Sequence, residues 1–178
     1  MKKLIVLLFV LGSLLAVWAE TPADDFNYIW GSDYELRTDM EYNIVNYYYF
    51  FLDAENDEHA RTDARLHKEI AESADTFYFE NAEDNWYYIV NTQMKGVLQC
   101  NPSRETNSVV SFQPRSGDAS QKWRLIPSAE DNYYYIVSYS NSHVLAGLDG
   151  KTINGQKLAL RNFTGYKGQL WRVEKVRE

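Results

Sequence analysis

The stretch DNWYYIV at residues 84–90 returns almost unchanged as DNYYYIV at residues 131–137, an offset of 47 positions. The same offset carries the Val-Leu pair at 97–98 onto the pair at 144–145. An offset of 48 carries QKWRL at 121–125 onto QLWRV at 169–173. Agreement over about 45 positions with one single-residue slip indicates an internal repeat.

A weaker third copy lies upstream, where IVN at residues 44–46 matches IVN at 89–91 and Phe77 takes the place of Trp123. The copies occupy residues 41–83, 84–130 and 131–178. Since no linker rich in proline or glycine separates them, we expect one domain over residues 41–178 with a shared core.

Strand-like patterns fill each copy. Apolar residues alternate, as in Val110-x-Phe112, and tyrosine, valine and isoleucine are abundant. Turn pairs such as Asp149-Gly150 fall between these runs. Residues 57–74 have a composition that would allow a helix, but the repeat register predicts strand and loop there. We therefore predict an all-β fold of about twelve short strands, closed around a pseudo-threefold axis.

A Gln-x-Trp motif stands near the end of the last two copies, as Gln121-Lys-Trp123 and Gln169-Leu-Trp171, with Asp75-Thr-Phe77 as a degenerate form. With these motifs, residues 41–178 resemble the ricin B-type β-trefoil family. The resemblance implies a twelve-stranded β-trefoil, with Phe77, Trp123 and Trp171 in its core. It also implies sugar binding in shallow pockets, one per repeat. Each pocket would use an aspartate after the leucine of the second strand, then an aromatic ring, then an asparagine.

The sequence keeps few of these sugar-contacting residues. Repeat one has Asp53, offers His67 as the ring and ends with Ile70. The corresponding residues of the other two repeats depart from the family pattern at every position: Gln99, Gln113 and Ser116 in repeat two, and Ala146, Arg161 and Thr164 in repeat three. The resemblance thus implies a sugar site at most in repeat one. Alternatively, Asp53 caps a turn before the acidic residues 55–58.

Residues 1–19 have the pattern of a secretory signal peptide. Lys2 and Lys3 precede an apolar stretch of about 14 residues, and Val17 and Ala19 are small residues at the cleavage-site spacing. An uncleaved anchor is the alternative, but a spanning helix needs about 20 residues. We expect a secreted, extracellular protein that begins at Glu20, with residues 20–40 as a lead-in and no membrane insertion.

The chain is acidic, with 18 basic and 25 acidic residues and a net charge of −7. Removal of Lys2 and Lys3 with the signal peptide changes the net charge to −9. This charge argues against nucleic acid as a partner and favours a basic protein if the partner is a protein. Because Cys100 is the only cysteine, no intramolecular disulfide can form. Cys100 is expected to be a small buried or semi-exposed residue or, alternatively, to form an intermolecular bridge.

Catalytic and metal motifs are not evident. The three histidines, His59, His67 and His143, lack the ligand spacing of a zinc site, and the acidic residues 53–64 lack the glycine and glutamate of a calcium loop. The sequence also shows no nucleophile elbow and no phosphate-binding loop. We therefore expect no enzymatic activity, no metal and no cofactor.

Two further features bear on binding. Tyr47, Tyr48 and Tyr49 form a triplet that, in a strand, would point rings outward, either as an ordinary outer face or as a contact patch. Asn162-Phe-Thr164 is a glycosylation sequon if the protein is eukaryotic.

Two functions remain open from the sequence. The first is a secreted, monomeric, lectin-like protein that binds a glycan or glycoprotein, with Asp53, His67, Tyr47 and Tyr49 as the candidate site. The second is a secreted trefoil of the inhibitor or effector type, which binds a protein after loss of its sugar sites.

Overall fold

The computed structural model describes residues 36–54, 63–68, 75–102 and 106–176. These residues form thirteen β-strands and contain no α-helix; short 3₁₀ turns occur at Ala119–Gln121, Leu148–Gly150 and Lys167–Gln169. The strands are β1 (Glu41–Asn46), β2 (Phe51–Ala54), β3 (Ala64–His67), β4 (Phe77–Glu83), β5 (Trp86–Asn91), β6 (Val97–Gln99), β7 (Ser108–Val109), β8 (Ser111–Gln113), β9 (Trp123–Pro127), β10 (Tyr134–Ser138), β11 (Val144–Gly147), β12 (Leu158–Arg161) and β13 (Trp171–Lys175).

Six of the strands close into a barrel. Each repeat contributes its first and last strand, and the antiparallel pairs run in the order β1, β4, β5, β9, β10, β13 and back to β1. The pairs that join one repeat to the next are β4 with β5, β9 with β10, and β13 with β1. Closure pairs the edge strands that an open sheet would expose.

The inner strands of each repeat form one antiparallel hairpin. These are β2 with β3 in repeat one, β6 with β8 in repeat two, and β11 with β12 in repeat three. The thirteenth strand arises because one predicted strand of repeat two is divided at Val110. β7 pairs with β12, whereas β8 pairs with β6. Val110 lies between them, donates its backbone N–H to Leu158 and accepts one from Ala64, which explains the break.

The same backbone hydrogen bond recurs at each junction between repeats. The residue after the first strand of one repeat donates its N–H to the residue just before the core aromatic of the preceding repeat. The three bonds are Tyr47 to Leu170 (2.9 Å), Thr92 to Thr76 (2.9 Å) and Tyr139 to Lys122 (3.0 Å). This recurrence gives the barrel its pseudo-threefold character.

Three aromatic residues fill equivalent places in the core. Trp123, Trp171 and Phe77 are almost completely buried. The indole N–H of Trp123 donates to the Leu98 carbonyl at 2.7 Å, and that of Trp171 donates to the Leu145 carbonyl at 2.9 Å. Burial of one such ring removes about 150–250 Å² from water, or roughly 4–6 kcal/mol.

The glutamines of the Gln-x-Trp motifs hold the loops that precede them. The side-chain oxygen of Gln121 accepts the N–H groups of Ser116 and Gly117, and its amide nitrogen donates to the Pro114 carbonyl at 2.8 Å. Gln169 makes equivalent bonds with Thr164 and Asn162. Both glutamines are buried, so these bonds satisfy backbone groups that water cannot reach.

The repeated DNxYYIV string comprises a turn and the beginning of a strand. Asn85 and Asn132 have left-handed backbones with φ of 65° and 64°, a conformation that asparagine tolerates better than most residues. β5 then begins at Trp86 and β10 at Tyr134. The string therefore marks the hairpin that links the last strand of one repeat to the first strand of the next.

Several predictions concern residues at the edge of, or outside, the described ranges. The signal peptide and most of the lead-in lie outside them, although Leu36 is described and packs into the core. Of residues 57–74, the described part contains β3.

Cys100 is buried, and its Sγ lies 3.2 Å from the Ser140 hydroxyl. Nowhere in the described ranges is a helix long and apolar enough to cross a membrane.

Candidate functional site

The β2–β3 hairpin carries the sugar-site residues of repeat one. Buried and partly exposed residues alternate along both strands, so Asp53 and His67 share the outer face. Asp53 lies directly opposite Arg65, and His67 lies opposite Phe51. The Arg65 guanidinium is engaged elsewhere, since it donates to the Gly155 carbonyl at 3.3 Å and lies 3.9 Å from Asp63. Ile70, the third position, lies outside the described residues.

In repeat two, the corresponding side chains bond within the protein. Gln99 accepts a hydrogen bond from the Gln121 amide at 2.9 Å, and Gln113 donates to the Ser111 hydroxyl at 3.1 Å. The backbone N–H of Ser116 is bonded to Gln121. These groups support the fold, and their hydrogen-bonding capacity is already partly used.

Repeat three is similar. Ala146 is buried and has no polar side chain, and Arg161 donates to the Asn107 side chain. The backbone N–H and hydroxyl of Thr164 both donate to Gln169, at 3.0 and 3.2 Å. Neither of the last two repeats therefore presents the carboxylate, ring and amide that the family pocket uses.

Tyr47, Tyr48 and Tyr49 form the turn after β1, not the strand that the sequence suggested. The polar end of β1 explains the turn, since the buried Asn46 accepts the N–H of Tyr48 at 3.1 Å. The Asn46 amide also donates to the Gly168 carbonyl at 3.0 Å, which fastens the turn to repeat three.

The turn packs against repeat three, and we call the contact region the three–one seam. It consists of Tyr47, Tyr48, Tyr49, Glu130, Tyr133, Tyr166, Lys167, Arg172 and Glu174. The rings of Tyr47 and Tyr133 have centroids 5.0 Å apart, and those of Tyr48 and Tyr166 are 6.4 Å apart. The Arg172 guanidinium lies 5.3 Å from the Tyr49 ring and 5.5 Å from the Tyr133 ring.

Charged groups alternate with these rings. Lys167 Nζ donates to the Tyr47 hydroxyl at 2.8 Å, lies 4.5 Å from the Tyr47 ring centroid and pairs with Glu130 at 3.2 Å. Arg172 pairs with Glu174 at 2.8 Å. The hydrogen bond to Tyr47, followed by that to Glu130, raises the pKa of Lys167 above its usual value, so the ammonium is charged at neutral pH.

The hydroxyls of Tyr48 and Tyr133 in the seam are protonated at neutral pH. A hydrogen bond with Tyr166 raises the pKa of Tyr48, and burial raises the pKa of Tyr133. The surface therefore offers neutral hydroxyl groups beside fixed cations and carboxylates.

Several rings of the three–one seam face solvent. Tyr48 is 42% exposed, Tyr166 44% and Tyr49 68%. Tyr49 also has a left-handed backbone, with φ of 64°. Such a conformation costs a residue with a large side chain about 1 kcal/mol or more. Neither burial nor backbone preference accounts for a tyrosine at this position.

The four residues predicted as a binding site fall into two groups. Asp53 and His67 lie together on the β2–β3 hairpin. The ring contacts of Tyr47 and Tyr49 instead run to repeat three. Sequence reasoning did not assign Lys167 or Arg172, although an arginine follows both Gln-x-Trp motifs and was a detectable signal.

Asn162 of the sequon is exposed in the loop between β12 and β13. Its backbone carbonyl accepts a hydrogen bond from the Gln169 amide at 2.7 Å. Across the described residues, no group of three or more histidine, cysteine or acidic side chains is placed to hold a metal ion.

Comparison with protein families gives one match, described as "Ricin-type beta-trefoil lectin domain-like". It covers residues 73–161 and again residues 119–178, and together these span more than half of the chain. No curated protein matches the sequence.

Solved structures show the same fold at low sequence identity. A designed threefold-symmetric protein, ThreeFoil, has a TM-score of 0.70 at 22% identity, over 76% of this chain and 99% of that one. An exo-β-1,3-galactanase from Clostridium thermocellum has a TM-score of 0.71 at 20% identity, over 80% of this chain and 31% of the enzyme.

A lectin from Polyporus squamosus, solved with a human-type influenza-binding epitope, has a TM-score of 0.65 at 18% identity. The match covers 79% of this chain and 50% of the lectin. The chain thus spans about half of the lectin and a third of the galactanase. The predicted all-β, pseudo-threefold trefoil and the resemblance on which it drew are confirmed.

Proposed function

Because the chain belongs to the ricin-type β-trefoil lectin domain-like family, we propose that it is a secreted, non-enzymatic protein that binds carbohydrate through its three–one seam. The observation that carries the proposal is the exposure of Tyr48, Tyr49 and Tyr166 beside charged side chains. Tyrosine rings are suited to the apolar C–H faces of sugar rings because they are flat and apolar but carry a polar edge.

The charged groups supply the other half of sugar recognition. Lys167 and Arg172 donate hydrogen bonds, and their partners Glu130 and Glu174 accept them. Charge-assisted bonds of this kind are the stronger ones available to hydroxyl groups. One small surface therefore combines ring faces with donors and acceptors.

The β2–β3 hairpin is the weaker candidate for the same function. It retains the carboxylate of Asp53 and the ring of His67, but the third position of the family pattern is Ile70, whose side chain has no hydrogen-bonding group. Asp53 therefore serves as the comparison residue in the test below.

A glycan array probed with residues 20–178 tests the proposal. We expect binding to a subset of glycans, and we expect Tyr49→Ala combined with Tyr166→Ala to weaken it about tenfold, equivalent to about 1.4 kcal/mol. Asp53→Ala should change affinity by less than twofold. Absence of any bound glycan would reject carbohydrate binding, whereas loss only in Asp53→Ala would move the site to the hairpin.

Secretion and the lack of enzymatic activity require their own measurements. Expression of residues 1–178 in a eukaryotic secretory host should release a protein whose first residue is Glu20, detected by N-terminal sequencing. Incubation with the bound glycans should release no new reducing ends. A retained precursor would contradict secretion, and released sugar would contradict the non-enzymatic assignment.

A second function, binding of a basic protein, is favoured by one observation. The sugar-site residues of repeats two and three are apolar or already bonded within the protein, as Gln99 is to Gln121. Tyrosine, which supplies five of the nine residues of the three–one seam, is also common in protein-binding hot spots. A negative glycan array would favour this function.

A further inference from the structure

A second cluster of rings and charges lies where repeat two meets repeat three, and we call it the two–three seam. It consists of Glu83, Trp86, Lys122, Arg124 and Tyr139. The rings of Trp86 and Tyr139 have centroids 4.8 Å apart in an edge-on arrangement. Lys122 Nζ lies 5.2 Å from the Tyr139 ring and pairs with Glu83 at 2.7 Å, and the Arg124 guanidinium lies 5.8 Å from the Trp86 ring.

The two seams are built from corresponding positions. Trp86 and Tyr133 are 47 residues apart, as are Glu83 and Glu130. Arg124 and Arg172, which each follow a Gln-x-Trp motif, are 48 apart. Tyr139 and Tyr47 each follow the last residue of the first strand in their repeat, Ser138 and Asn46.

The lysines do not share this correspondence. Lys122 directly precedes Trp123, whereas Lys167 lies four residues before Trp171. Each ammonium nevertheless reaches the ring of the tyrosine that follows a first strand and pairs with the corresponding glutamate. The same arrangement of ring, ammonium and carboxylate is thus reached from two chain positions.

Barrel closure does not require this arrangement. Where repeat one meets repeat two, Glu41 and Thr92 occupy the positions that hold aromatic rings in the other seams. The backbone N–H of Thr92 still donates to the Thr76 carbonyl at 2.9 Å, as at the other two junctions, and β4 still pairs with β5 along its length. The ring and charge clusters are therefore additional to what holds the repeats together.

The exposure of Tyr139 also lacks a structural explanation. The ring of Tyr139 is 43% exposed, although the strand that precedes it, β10, is largely buried. In both seams, the tyrosine that follows a first strand stands beside an ammonium and its paired carboxylate, and a guanidinium lies beside a second ring. These are the groups assigned above to sugar recognition.

We propose that the two–three seam is a second saccharide-contacting surface, so that one chain binds a polysaccharide or clustered glycans at two places. The proposal rests on the carbohydrate-binding function proposed above. Two like surfaces related by pseudo-symmetry fit a ligand that presents the same unit repeatedly. A folded protein partner presents a given surface once and would engage a single seam.

Point variants in exposed rings separate the two surfaces. Tyr139→Ala removes the exposed ring of the two–three seam, and Tyr49→Ala removes that of the three–one seam. Ile153→Ala, in the turn between β11 and β12, is the matched control because Ile153 is also apolar and is 56% exposed. Unchanged urea-unfolding midpoints would show that all three variants are folded.

The probes are immobilised galactan, mannan, chitin and dextran, together with the free disaccharide unit of each. Calorimetry with the free disaccharide of the polymer that binds should give two sites per wild-type chain, and either tyrosine variant should keep one site unchanged and bind the disaccharide more weakly at the other. On the immobilised polymer, either variant should lose at least tenfold in apparent affinity, because it can no longer attach at two points. Ile153→Ala should bind as the wild type does.

Two results would overturn the proposal in distinguishable ways. If wild-type protein binds one disaccharide per chain and Tyr139→Ala changes neither stoichiometry nor affinity, the second surface is wrong and carbohydrate binding stands. If wild-type protein binds none of the four polymers, both the second surface and the proposed function fail for these saccharides.

Discussion

Trp123 and Trp171 show how a single residue type can serve both packing and hydrogen bonding in this core. Each indole is buried and donates to a leucine carbonyl of its own repeat. Phe77 fills the same place in repeat one but has no N–H group, and it stacks on Phe112 with centroids 5.6 Å apart. The motif glutamines are confined to the two repeats that have tryptophan.

Trp171→Ala should lower the free energy of unfolding by about 3–5 kcal/mol, because it removes a buried ring and leaves the Leu145 carbonyl without its donor. Urea unfolding monitored by circular dichroism measures the change. Ile153→Ala, at an exposed residue, should stay within about 0.5 kcal/mol of wild type. A Trp171→Ala effect below about 1 kcal/mol would contradict the core assignment.

In the turn after β1, the backbone conformation of Tyr49 is unfavourable for a tyrosine, whereas its side-chain contact with Arg172 is favourable. Tyr49 is exposed and has a left-handed backbone, whereas Asn85 and Asn132 occupy such conformations elsewhere in the chain. Its Arg172 contact contributes about 0.5–1 kcal/mol at an exposed site, which is about what the backbone costs. Stability alone therefore gives no preference for tyrosine over glycine at this position.

Tyr49→Gly should keep the free energy of unfolding within about 0.5 kcal/mol of wild type, because relief of the backbone offsets the lost ring contact. The same variant should lose affinity for any glycan that the wild type binds. Parallel urea unfolding and glycan binding measure the two effects. Marked destabilisation would show that the tyrosine is structural, with no need of a ligand to explain it.

The end of β1 is a junction between the first and third repeats. Asn46 is buried, donates to Gly168 and Leu170 and accepts from Tyr48. Asn91 holds the corresponding place in repeat two, where it accepts the N–H groups of Gln93 and Met94. A short polar side chain at this position both forms the turn and joins neighbouring repeats.

Asn46→Ala should lower the free energy of unfolding by about 1–3 kcal/mol, because it leaves the Tyr48 N–H and the Gly168 carbonyl without their partner. Asn154→Ala is a suitable comparison, since its bond to the Lys68 N–H is exposed and should be replaced by water. Equal effects of the two variants in thermal unfolding would show that the burial of Asn46 contributes little.

At the scale of the whole molecule, charge limits the possible ligands. The net charge of −7 opposes association with polyanions, and three cations of the seams pair with carboxylates: Lys122 with Glu83, Lys167 with Glu130, and Arg172 with Glu174. Paired cations are poorly placed to neutralise a phosphate or sulfate chain. Neutral saccharides carry no such electrostatic penalty.

Residues 20–178 should therefore pass through a heparin column at 0.1 M salt without retention. A basic trefoil of similar size run in parallel would show that the column is active. Retention that decreases as salt increases would reveal a cationic surface, and it would reopen polyanions as ligands.

The sequence by itself determined the fold. Its apolar positions recur with a period of 45–48 residues, and a closed barrel is the arrangement in which three such units can bury them together. The Gln-x-Trp motifs and the repeated DNxYYIV string each consist of consecutive residues, so both can be recognised in the sequence alone. The break at Val110 cannot be recognised in this way, because it depends on partners in repeats one and three.

Only the tertiary structure decided which surface residues act together. Tyr47 and Lys167 are 120 positions apart, yet the pairing of β1 with β13 places their side-chain atoms 2.8 Å from each other. Sequence grouped Tyr47 with Asp53 because they are neighbours in the chain, whereas the turn after β1 directs the tyrosines towards repeat three. Packing of the core follows from a repeating pattern of side chains, but a surface site depends on distances that only barrel closure sets.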